Sequence, residues 1–393
     1  MPAQFATATA RRMRLVLLLA ATVSAAAPTL ARLPEPPPEL KPIPVAMLVD
    51  FGSGQVLYAR NPDQRFLPAS MTKVMTAFVA FEEMRRGRLD RNTRFVVLPE
   101  TATEWNGKGT SMYLQAGERV RVGDLLHGIM TGSANDASVV LAQGHAGNVE
   151  AWNFLMNDAA RRLRMTNSRF ATPNGWPDGG RTYVSAHDLV RLGSAMIRNF
   201  PKEYAAYSGR KEFVWRERKL FSHDPVTGVV LGADGIKTGY TREAGYNFLG
   251  SAQRDGRRLV MVTGGARSEA QRLDASRALL EWGFSQWQAR PLFAKGETIT
   301  QAEVQGGSQA SVPVSAAYPI YATLPRSGSE PIRLRVRYRG PLKAPIAKGQ
   351  RIAELEIRVG SMPAGHIPLL AAQSVTKGGA MDRLVNGFKT LFS

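Results

Sequence analysis

The chain has 393 residues, which is enough to bury a large core and to form two domains. Hydrophobic residues make up 44% and charged residues 21%, as in an ordinary folded protein, and the formal net charge is +19. Cysteine is absent, so disulfides and thiolate metal sites are excluded. The five histidines have no zinc-like spacing, and the sequence predicts no metal and no cofactor.

The N-terminal segment has the pattern of a secretory signal. Three arginines precede an apolar run over 15–21, and small residues follow at 24–27. This run is short for a transmembrane helix, so residues 1–31 are interpreted as a cleaved signal peptide, with an uncleaved anchor as the alternative. The protein is therefore predicted to be exported, periplasmic or extracytoplasmic. An exported basic protein meets anionic lipid headgroups more readily than DNA, so nucleic acid is not an expected partner.

A proline-rich stretch precedes the first predicted strands. Seven prolines between positions 28 and 44 predict an extended leader, which is assigned to residues 32–44. Two apolar runs, 45–50 and 55–59, then flank Gly52-Ser53-Gly54 and predict a β-hairpin.

A helical region follows this hairpin. After Pro68, apolar residues recur at helical spacing from Met71 to Phe81, which predicts a helix with one buried face. Further patterns predict helices at 123–131, 136–145, 150–164 and 185–198, strands at 234–240, 245–253 and 257–264, and a closing helix at 268–283. Residues 45–289 are therefore predicted to form an α/β (α+β) domain, a sheet flanked by helices in which the two ends of the domain pair.

The composition changes near residue 290. Short alternating runs such as Ile332–Tyr338 predict a small all-β domain over 290–376. The last segment, 377–393, places its apolar residues on one helical face and is predicted to form an amphipathic helix. We expect this helix to lie on an anionic membrane surface, which would make the protein peripheral on the outer face of the cytoplasmic membrane. The alternative is a helix packed on its own β domain.

The first chemical motif is Ser70-Met71-Thr72-Lys73, at the start of the helix after Pro68. The spacing places Ser70 Oγ and Lys73 Nζ on one side of the helix, whose N-terminus adds positive potential near a developing alkoxide. Burial lowers the proton affinity of an ammonium, so Lys73 could act as a neutral base. Two other Ser-x-x-Lys strings, at Ser208 and Ser374, do not open a long apolar-faced helix. Alone, the motif would be interpreted as an N-cap serine beside a solvated lysine.

Two further strings complete the set. Ser133-Ala134-Asn135 lies where one helix ends at Gly132 and another begins, so its polar side chains can point into a cleft; alone, it would be interpreted as helix capping. Lys237-Thr238-Gly239 occurs once, in a predicted strand whose edge could pair with an extended substrate. Gly239 would allow close approach, and Lys237 and Thr238 would face an anionic group; alone, the string is a turn with an exposed lysine.

The three strings together are a more specific signal than any one of them. The three strings start 63 and 104 residues apart and supply a nucleophile, a base, a polar relay and a cationic strand. In this order they resemble the motifs of the penicilloyl-serine transferase superfamily. Their surroundings, over 68–73, 133–137 and 234–247, resemble the low-molecular-mass penicillin-binding proteins, the D-alanyl-D-alanine carboxypeptidases. The likeness covers about residues 44–284, and the β domain and tail match the family's layout.

The resemblance implies a β-lactamase/transpeptidase-like fold with an antiparallel sheet, and a serine-type D-Ala-D-Ala carboxypeptidase. Its partners would be peptidoglycan stem pentapeptides as substrates and β-lactams as acylating ligands. Ser70 would attack the D-Ala-D-Ala carbonyl to form an acyl-enzyme, and Lys73 would take its proton. Ser133 would relay a proton to the leaving D-Ala nitrogen. Backbone N–H groups of Ser70 and Tyr240 would form the oxyanion hole.

The same resemblance assigns the substrate-binding residues. Asn135 would hold the substrate amide. Lys237 and Thr238 would engage the terminal carboxylate, with Gly239 completing the strand motif. Arg272 matches the family's second carboxylate-binding arginine, and its alternative is a solvated helix residue.

One departure and several alternatives are weighed against this assignment. The family usually has Gly at the position of Ala134, whose side chain is expected to point away from the cleft. A β-lactamase of one large class needs Glu-x-x-Leu-Asn, and the nearest string, Glu217-Arg218-Lys219-Leu220, is followed by Phe221 in place of Asn. A wall endopeptidase and a non-catalytic β-lactam-binding protein on the same fold stay open. A Ser-His-Asp hydrolase is not expected, because no Gly-x-Ser-x-Gly elbow surrounds Ser70.

Overall fold

A computed structural model describes residues 33–328 and 330–379 of the chain. The α-helices are α1 Thr72–Arg85, α2 Pro99–Trp105, α3 Val122–Met130, α4 Asn135–Ala146, α5 Val149–Arg162, α6 Ala186–Asn199, α7 Pro201–Tyr207 and α8 Glu269–Ser285. Short 3-10 turns occur at Pro38–Leu40 and Ala69–Met71. Among the described residues, no helix has the length and apolar character needed to cross a membrane.

The first strands, up to the closing helix α8, are β1 Val45–Asp50, β2 Val56–Arg60, β3 Arg94–Val96, β4 Arg119–Arg121, β5 Glu212–Trp215, β6 Arg218–Phe221, β7 Ala233–Thr241, β8 Gly245–Arg254 and β9 Arg257–Ala266. The strands after α8 are β10 Trp287–Phe293, β11 Thr298–Gln305, β12 Ser311–Ala316, β13 Ile320–Pro325, β14 Ile332–Arg337, β15 Leu342–Lys343, β16 Arg351–Val359 and β17 Gly365–Ala371. The described residues divide into two units, one formed by 34–51 and 56–287 and one by 52–55 and the residues from 288 onward.

The larger unit is built on a five-stranded sheet in the order β2-β1-β9-β8-β7, in which every neighbouring pair is antiparallel. The N-terminal strand β1 thus pairs with β9, although more than 200 residues separate Val45 from Gly264 in the pair. Strand β7, which contains Lys237, Thr238 and Gly239, is at the edge of the sheet. The predicted antiparallel sheet, closed by the two ends of its domain, is confirmed.

Both faces of this sheet are covered. Side chains alternate between the two faces of a strand, so neighbouring residues contact different layers. A Cβ on Gly283 of α8 would lie 2.7 Å from Leu48 and from Leu259, so α8 packs closely on one face. On the other face, Met47 and Val260 join the core formed with the helical part of the unit. This double burial explains why β1 and β9 are continuous apolar runs and not alternating ones.

Helix α1 differs from its prediction. The apolar spacing predicts one buried face, yet every residue from Thr72 to Glu83 is buried. The helix contacts α3, α5 and α6 as well as β7, so it has helices or strands on several sides. Its acidic residues remain tolerable there because they are paired: Glu82 with Arg162, and Glu83 with Arg88 at 2.6 Å.

The proline-rich stretch also differs from the expected extended leader. Residues Pro38–Leu40 form a 3-10 turn, and the side chains of Leu40 and Ile43 are buried in the larger unit. Arg60 donates hydrogen bonds to the carbonyl oxygens of Lys41 and Ile43, each at 3.0 Å. Prolines favour extended backbone, but the apolar residues between them supply contacts that fold the end of this stretch onto the unit.

The smaller unit is rich in β-structure, as predicted. Its six-stranded sheet has the order β14-β16-β17-β12-β11-β15, with only the β11–β15 pair parallel, and β10 pairs with β13. Along β14 the arginines are exposed and the apolar residues half-buried, which matches the predicted alternation. The predicted signal peptide lies outside the described residues. So does most of the predicted tail helix, and its proposed first residue, Lys377, instead forms a β-bridge with Gly307.

Candidate active site

Ser70 and Lys73 lie where the 3-10 turn Ala69–Met71 leads into α1. Lys73 is fully buried, and its ammonium donates three hydrogen bonds: to Ser70 Oγ at 2.8 Å, to Asn135 Oδ1 at 2.8 Å and to the carbonyl oxygen of Asn174 at 2.6 Å. These bonds use all three donors of a protonated lysine and fix the nitrogen beside the serine hydroxyl.

The charge state of Lys73 is set by its surroundings. Burial contributes most, and it lowers the pKa of Lys73 well below its usual value. The nearby ammonium of Lys237 lowers this pKa further, whereas the carboxylate of Asp136 raises it. The neutral amine, which can accept a proton from Ser70, is therefore much easier to populate here than on an exposed lysine.

Ser133 and Asn135 lie in and just after the loop that joins α3 to α4. The backbone of Ser133 has φ +58°, and its carbonyl oxygen accepts a hydrogen bond from Thr110 Oγ1 at 2.6 Å. Asn135 binds the same segment, since its N–H donates to the Thr110 carbonyl at 2.8 Å and its Nδ2 donates to the Lys108 carbonyl at 2.9 Å. Ala134 is buried in the core, so its side chain points away from the cleft as expected.

Asp136 fixes the segment that faces this loop. Its carboxylate accepts hydrogen bonds from Ser111 Oγ at 2.7 Å and from the backbone N–H groups of Met112 at 3.0 Å and Leu114 at 3.1 Å. A buried carboxylate with several charge-assisted bonds holds backbone tightly. Asp136 therefore positions the segment 108–114, which in turn binds Ser133 and Asn135.

Strand β7 passes close to the serine. Lys237, Thr238 and Gly239 pair with Leu249, Phe248 and Asn247 of β8, which leaves their other edge unpaired in the sheet. A Cβ at Gly239 would lie only 2.2 Å from the Pro68 carbonyl oxygen, so only glycine lets the strand approach the Ser70 turn this closely.

Two buried cations, Lys237 and Arg272, lie near Thr238. Lys237 is 4% exposed, and burial together with the charge of Arg272 lowers the pKa of Lys237 to about 7. Arg272 is 3% exposed, so the alternative of a solvated helix residue is wrong. It donates to Glu269 at 2.6 Å, while its Nε is buried without a hydrogen-bond partner among the described residues. Such an unpaired donor is suited to an anionic ligand.

One cavity of about 430 Å³ joins these groups. Of the predicted site residues, the structure places six in its lining: Ser70, Ser133, Asn135, Thr238, Tyr240 and Arg272. Lys73, Lys237 and Gly239 lie outside the lining, and Lys73 reaches the cavity through its bond to Ser70 Oγ. Tyr240 is 53% exposed and its ring lies 4.2 Å from that of Tyr246.

The structure adds residues that the sequence did not single out. Asn174 accepts from Lys73 through its carbonyl, which any residue type could supply, so no sequence signal identifies it. Trp176 lines the cavity and contacts Trp105 edge-on, with ring centroids 5.7 Å apart. His223 also lines the cavity. Among the described residues, no cluster of His, Cys, Asp and Glu side chains suits a metal ion.

Comparison with known proteins identifies the family. A model described as "D-alanyl-D-alanine carboxypeptidase" matches residues 37–268, and one described as "Penicillin-binding protein 5, C-terminal domain" matches residues 287–377. The chain belongs to the D-alanyl-D-alanine carboxypeptidase family. The family expected from the three strings is thus confirmed.

Individual relatives of this family agree over most of the chain. The D-alanyl-D-alanine carboxypeptidase DacA of Haemophilus influenzae is 33% identical over 88% of this chain and 90% of its own length. The crystal structure of penicillin-binding protein 5 from the same species is similar with a TM-score of 0.69 and 30% identity, covering 86% of this chain and 98% of that one. The ampicillin-bound penicillin-binding protein D2 of Listeria monocytogenes matches 62% of this chain and 97% of its own, with a TM-score of 0.56 and 30% identity.

Proposed function

We propose that the protein removes the terminal D-alanine from peptidoglycan stem pentapeptides through an acyl-enzyme on Ser70, and that β-lactams acylate the same hydroxyl. The family acts on peptidoglycan peptides and binds β-lactams. The observation that carries the proposal is the 2.8 Å hydrogen bond between Ser70 Oγ and a buried lysine whose pKa is lowered. A weak nucleophile is thereby placed next to a base whose neutral form is easier to reach than that of an exposed lysine.

Acylation begins with attack of Ser70 Oγ on the carbonyl carbon between the two D-alanines. Lys73 takes the hydroxyl proton, and the backbone N–H groups of Ser70 and Tyr240 stabilise the oxyanion. The C–N bond then breaks, and Ser133 passes its proton to the departing amine while it recovers a proton from the Lys73 ammonium, so that free D-alanine leaves and Lys73 is again a neutral amine. Asn135 supports this step in two ways, because it holds Lys73 through Oδ1 and is in the cavity lining where it can meet the substrate amide.

Deacylation reverses the chemistry with water. Water attacks the ester carbonyl, its proton passes to the Lys73 amine, and Ser70 Oγ recovers a proton as the tetrapeptide leaves. The chain lacks the Glu-x-x-Leu-Asn string between Ser133 and Lys237. We therefore expect slow release of a β-lactam, whose acyl group stays on the serine.

The terminal carboxylate of the substrate is assigned to the cationic end of the cavity. Lys237, Thr238 and Arg272 supply two charges and a hydroxyl there, and Thr238 and Arg272 line the cavity. Lys237 must be protonated for this role, so its contribution is present below pH 7 and is lost as the pH rises through about 7. Lys73 must be neutral, so its contribution is lost as the pH falls below its lowered pKa.

Intact-mass measurement with two ligands tests this function. Benzylpenicillin should add its own mass to the full chain, and the Ser70→Ala variant should stay unlabelled. A stem pentapeptide should be converted to tetrapeptide and free D-alanine. Rapid loss of the penicillin adduct as hydrolysed penicillin would indicate a β-lactamase. A stable adduct without any D-alanine release would indicate a β-lactam-binding protein without turnover, and cleavage of crosslinked muropeptides alone would indicate an endopeptidase.

We also propose the predicted chain organisation for the intact protein: export through the signal at 1–31, a catalytic domain at 45–289 preceded by the segment 32–44, whose end packs on the larger unit, a β domain at 290–376, and peripheral membrane binding through 377–393. The apolar stripe of the tail and the formal net charge, which is +19 for the whole chain and +16 without the three arginines of the signal, support binding to anionic headgroups. Deletion of 380–393 should abolish binding to vesicles containing phosphatidylglycerol and leave D-alanine release unchanged. Undiminished vesicle binding by the deletion variant would contradict the anchor.

A further inference from the structure

The cationic end of the cavity contains one more titratable residue, His223, for which the proposed mechanism has no role. It lies in the loop between β6 and β7 and lines the same cavity as Ser70 and Thr238. Its carbonyl oxygen accepts a hydrogen bond from Arg272 Nη2 at 3.4 Å, which holds the loop next to the arginine. The side chain is exposed, and none of the described residues forms a hydrogen bond with its imidazole. Both ring nitrogens are therefore free for a ligand.

The charges around His223 favour an incoming anion. Lys237 on β7 and Arg272 on α8 are cations, and Tyr246 on β8 lies beneath Arg272 at 5.7 Å from its ring centroid. The two nearby carboxylates are already bonded. Glu269 on α8 accepts from Arg272 at 2.6 Å, and Asp224 in the loop accepts from Thr227 Oγ1 at 2.6 Å and from Val226 N at 2.8 Å. Glu269 offsets part of this charge, but Lys237 and Arg272 both act on His223 as cations, so an incoming carboxylate meets a partly compensated positive site.

The same charges also shift the pKa of the His223 imidazole. Although the residue is exposed overall, partial burial of its imidazole in the cavity contributes most, and with Lys237 and Arg272 it lowers the pKa of His223, whereas Glu269 raises it. In the empty cavity the neutral form is thus favoured at neutral pH. A bound carboxylate acts in the opposite direction, because an anion within hydrogen-bonding distance stabilises the imidazolium.

We infer that His223 is a specificity-determining residue for the free C-terminal carboxylate: its protonated imidazole donates an N–H to the carboxylate that Lys237 and Thr238 hold. The inference rests on the proposed function and deepens it. Substrate binding then takes up a proton at His223, so the KM for a substrate with a free carboxylate falls as the pH is lowered. This effect belongs to substrate binding and leaves the chemistry at Ser70 unchanged.

The test compares KM and kcat for D-alanine release from a diacetylated L-lysyl-D-alanyl-D-alanine peptide between pH 5 and 9, with the full chain. His223→Gln keeps a hydrogen-bonding group but cannot carry the charge. We expect its KM to exceed that of the unaltered chain by about tenfold at pH 5 and to match it at pH 9, with kcat unchanged, because a hydrogen bond to a charged group is worth about that factor. Protonation of Lys237 also lowers the KM as the pH falls. The KM of His223→Gln is therefore divided by that of the unaltered chain at each pH, and this ratio isolates the effect of His223.

Two further variants make the test decisive. His223→Arg carries a permanent charge, so its KM at pH 9 should be below that of the unaltered chain. His187→Gln is the matched control, since His187 pairs with Asp63 outside the cavity and its KM ratio should be 1 at every pH. A KM ratio for His223→Gln that does not change with pH, or a loss in kcat alone, overturns the inference. Absence of D-alanine release by the unaltered chain contradicts the proposed function itself, so the two failures are distinguishable.

Discussion

Gly239 offers the sharpest test of how the strand and the serine are held together. A Cβ at this position would lie 2.2 Å from the Pro68 carbonyl oxygen and 3.2 Å from the Met71 nitrogen, and both atoms belong to backbone. Real Cβ atoms essentially never come within 3.0 Å of such neighbours. In Gly239→Ala, β7 and the Ser70 turn must therefore separate by about 1 Å, because a close-packed interior has no room to absorb the overlap.

This separation sets the size of the expected effect. The terminal carboxylate is held by β7, whereas the attacking oxygen belongs to the turn, so the shift misaligns the two ends of one substrate. A misplacement of about 1 Å costs on the order of 100-fold in rate. We expect kcat/KM for D-alanine release and the rate constant for acylation by benzylpenicillin to fall together by about this factor, as measured from product formation and from intact-mass time courses.

The control is another glycine-to-alanine substitution, at a position where the new Cβ makes only ordinary contacts. In Gly123→Ala of α3 the nearest atom to the new Cβ is the Arg91 carbonyl oxygen at 3.4 Å, which is ordinary contact, so activity should equal that of the unaltered chain. Circular dichroism and urea unfolding establish that both variants are folded. A folded Gly239→Ala variant with full kcat/KM would refute the argument that this contact positions the strand.

The remaining predictions concern the charges of the site. Lys73→Ala should slow acylation by benzylpenicillin by about 10²- to 10⁴-fold in intact-mass time courses, and unchanged acylation would remove Lys73 from the mechanism. Lys237→Gln removes a charge that lowers the pKa of Lys73, so the acid limb of the kcat/KM profile should move to higher pH and the decline near pH 7 should disappear. An unmoved acid limb would contradict this coupling. Asp136→Ala leaves the N–H groups of Met112 and Leu114 without their acceptor, and urea unfolding should show a loss of about 3 kcal/mol, whereas unchanged stability would contradict its positioning role.

Much of the site was predictable because its key residues lie in short strings on elements of recognisable type. Ser70 and Lys73 are three residues apart at the start of a helix, a spacing that places both side chains on one side, and the structure brings them to 2.8 Å. Gly239 was expected to allow close approach, and the Pro68 carbonyl is what approaches it. The order of the predicted elements, a hairpin, helices, strands and a closing helix, also indicated the topology in which the two ends of the domain pair.

Other parts could not be predicted from local patterns. Asn174 acts through its carbonyl oxygen, which carries no side-chain signature. His223 reaches the cavity from the loop between β6 and β7, and its carbonyl is held there by Arg272, 49 residues later in the chain. The burial of α1 from Thr72 to Glu83 was not predicted either, because Thr72, Lys73 and Thr76 are polar and the apolar spacing indicated only one covered face. Tertiary contacts, and not periodicity, decide these features.

The two lysines show how the same side chain takes opposite roles in one cavity. Both are almost fully buried, and burial is the largest cause of the lowered pKa in each. Their surroundings differ: Lys73 has three neutral acceptors and stands next to a hydroxyl, whereas Lys237 stands at the cationic end of the cavity, where Arg272 lowers its pKa and Asp224 raises it. An anion that binds at that end offsets the positive charge there and raises the pKa of Lys237. It also screens Lys73 from the charge of the Lys237 ammonium. Substrate binding and base strength are therefore linked through one ammonium, and a substrate without a free carboxylate would forgo both effects.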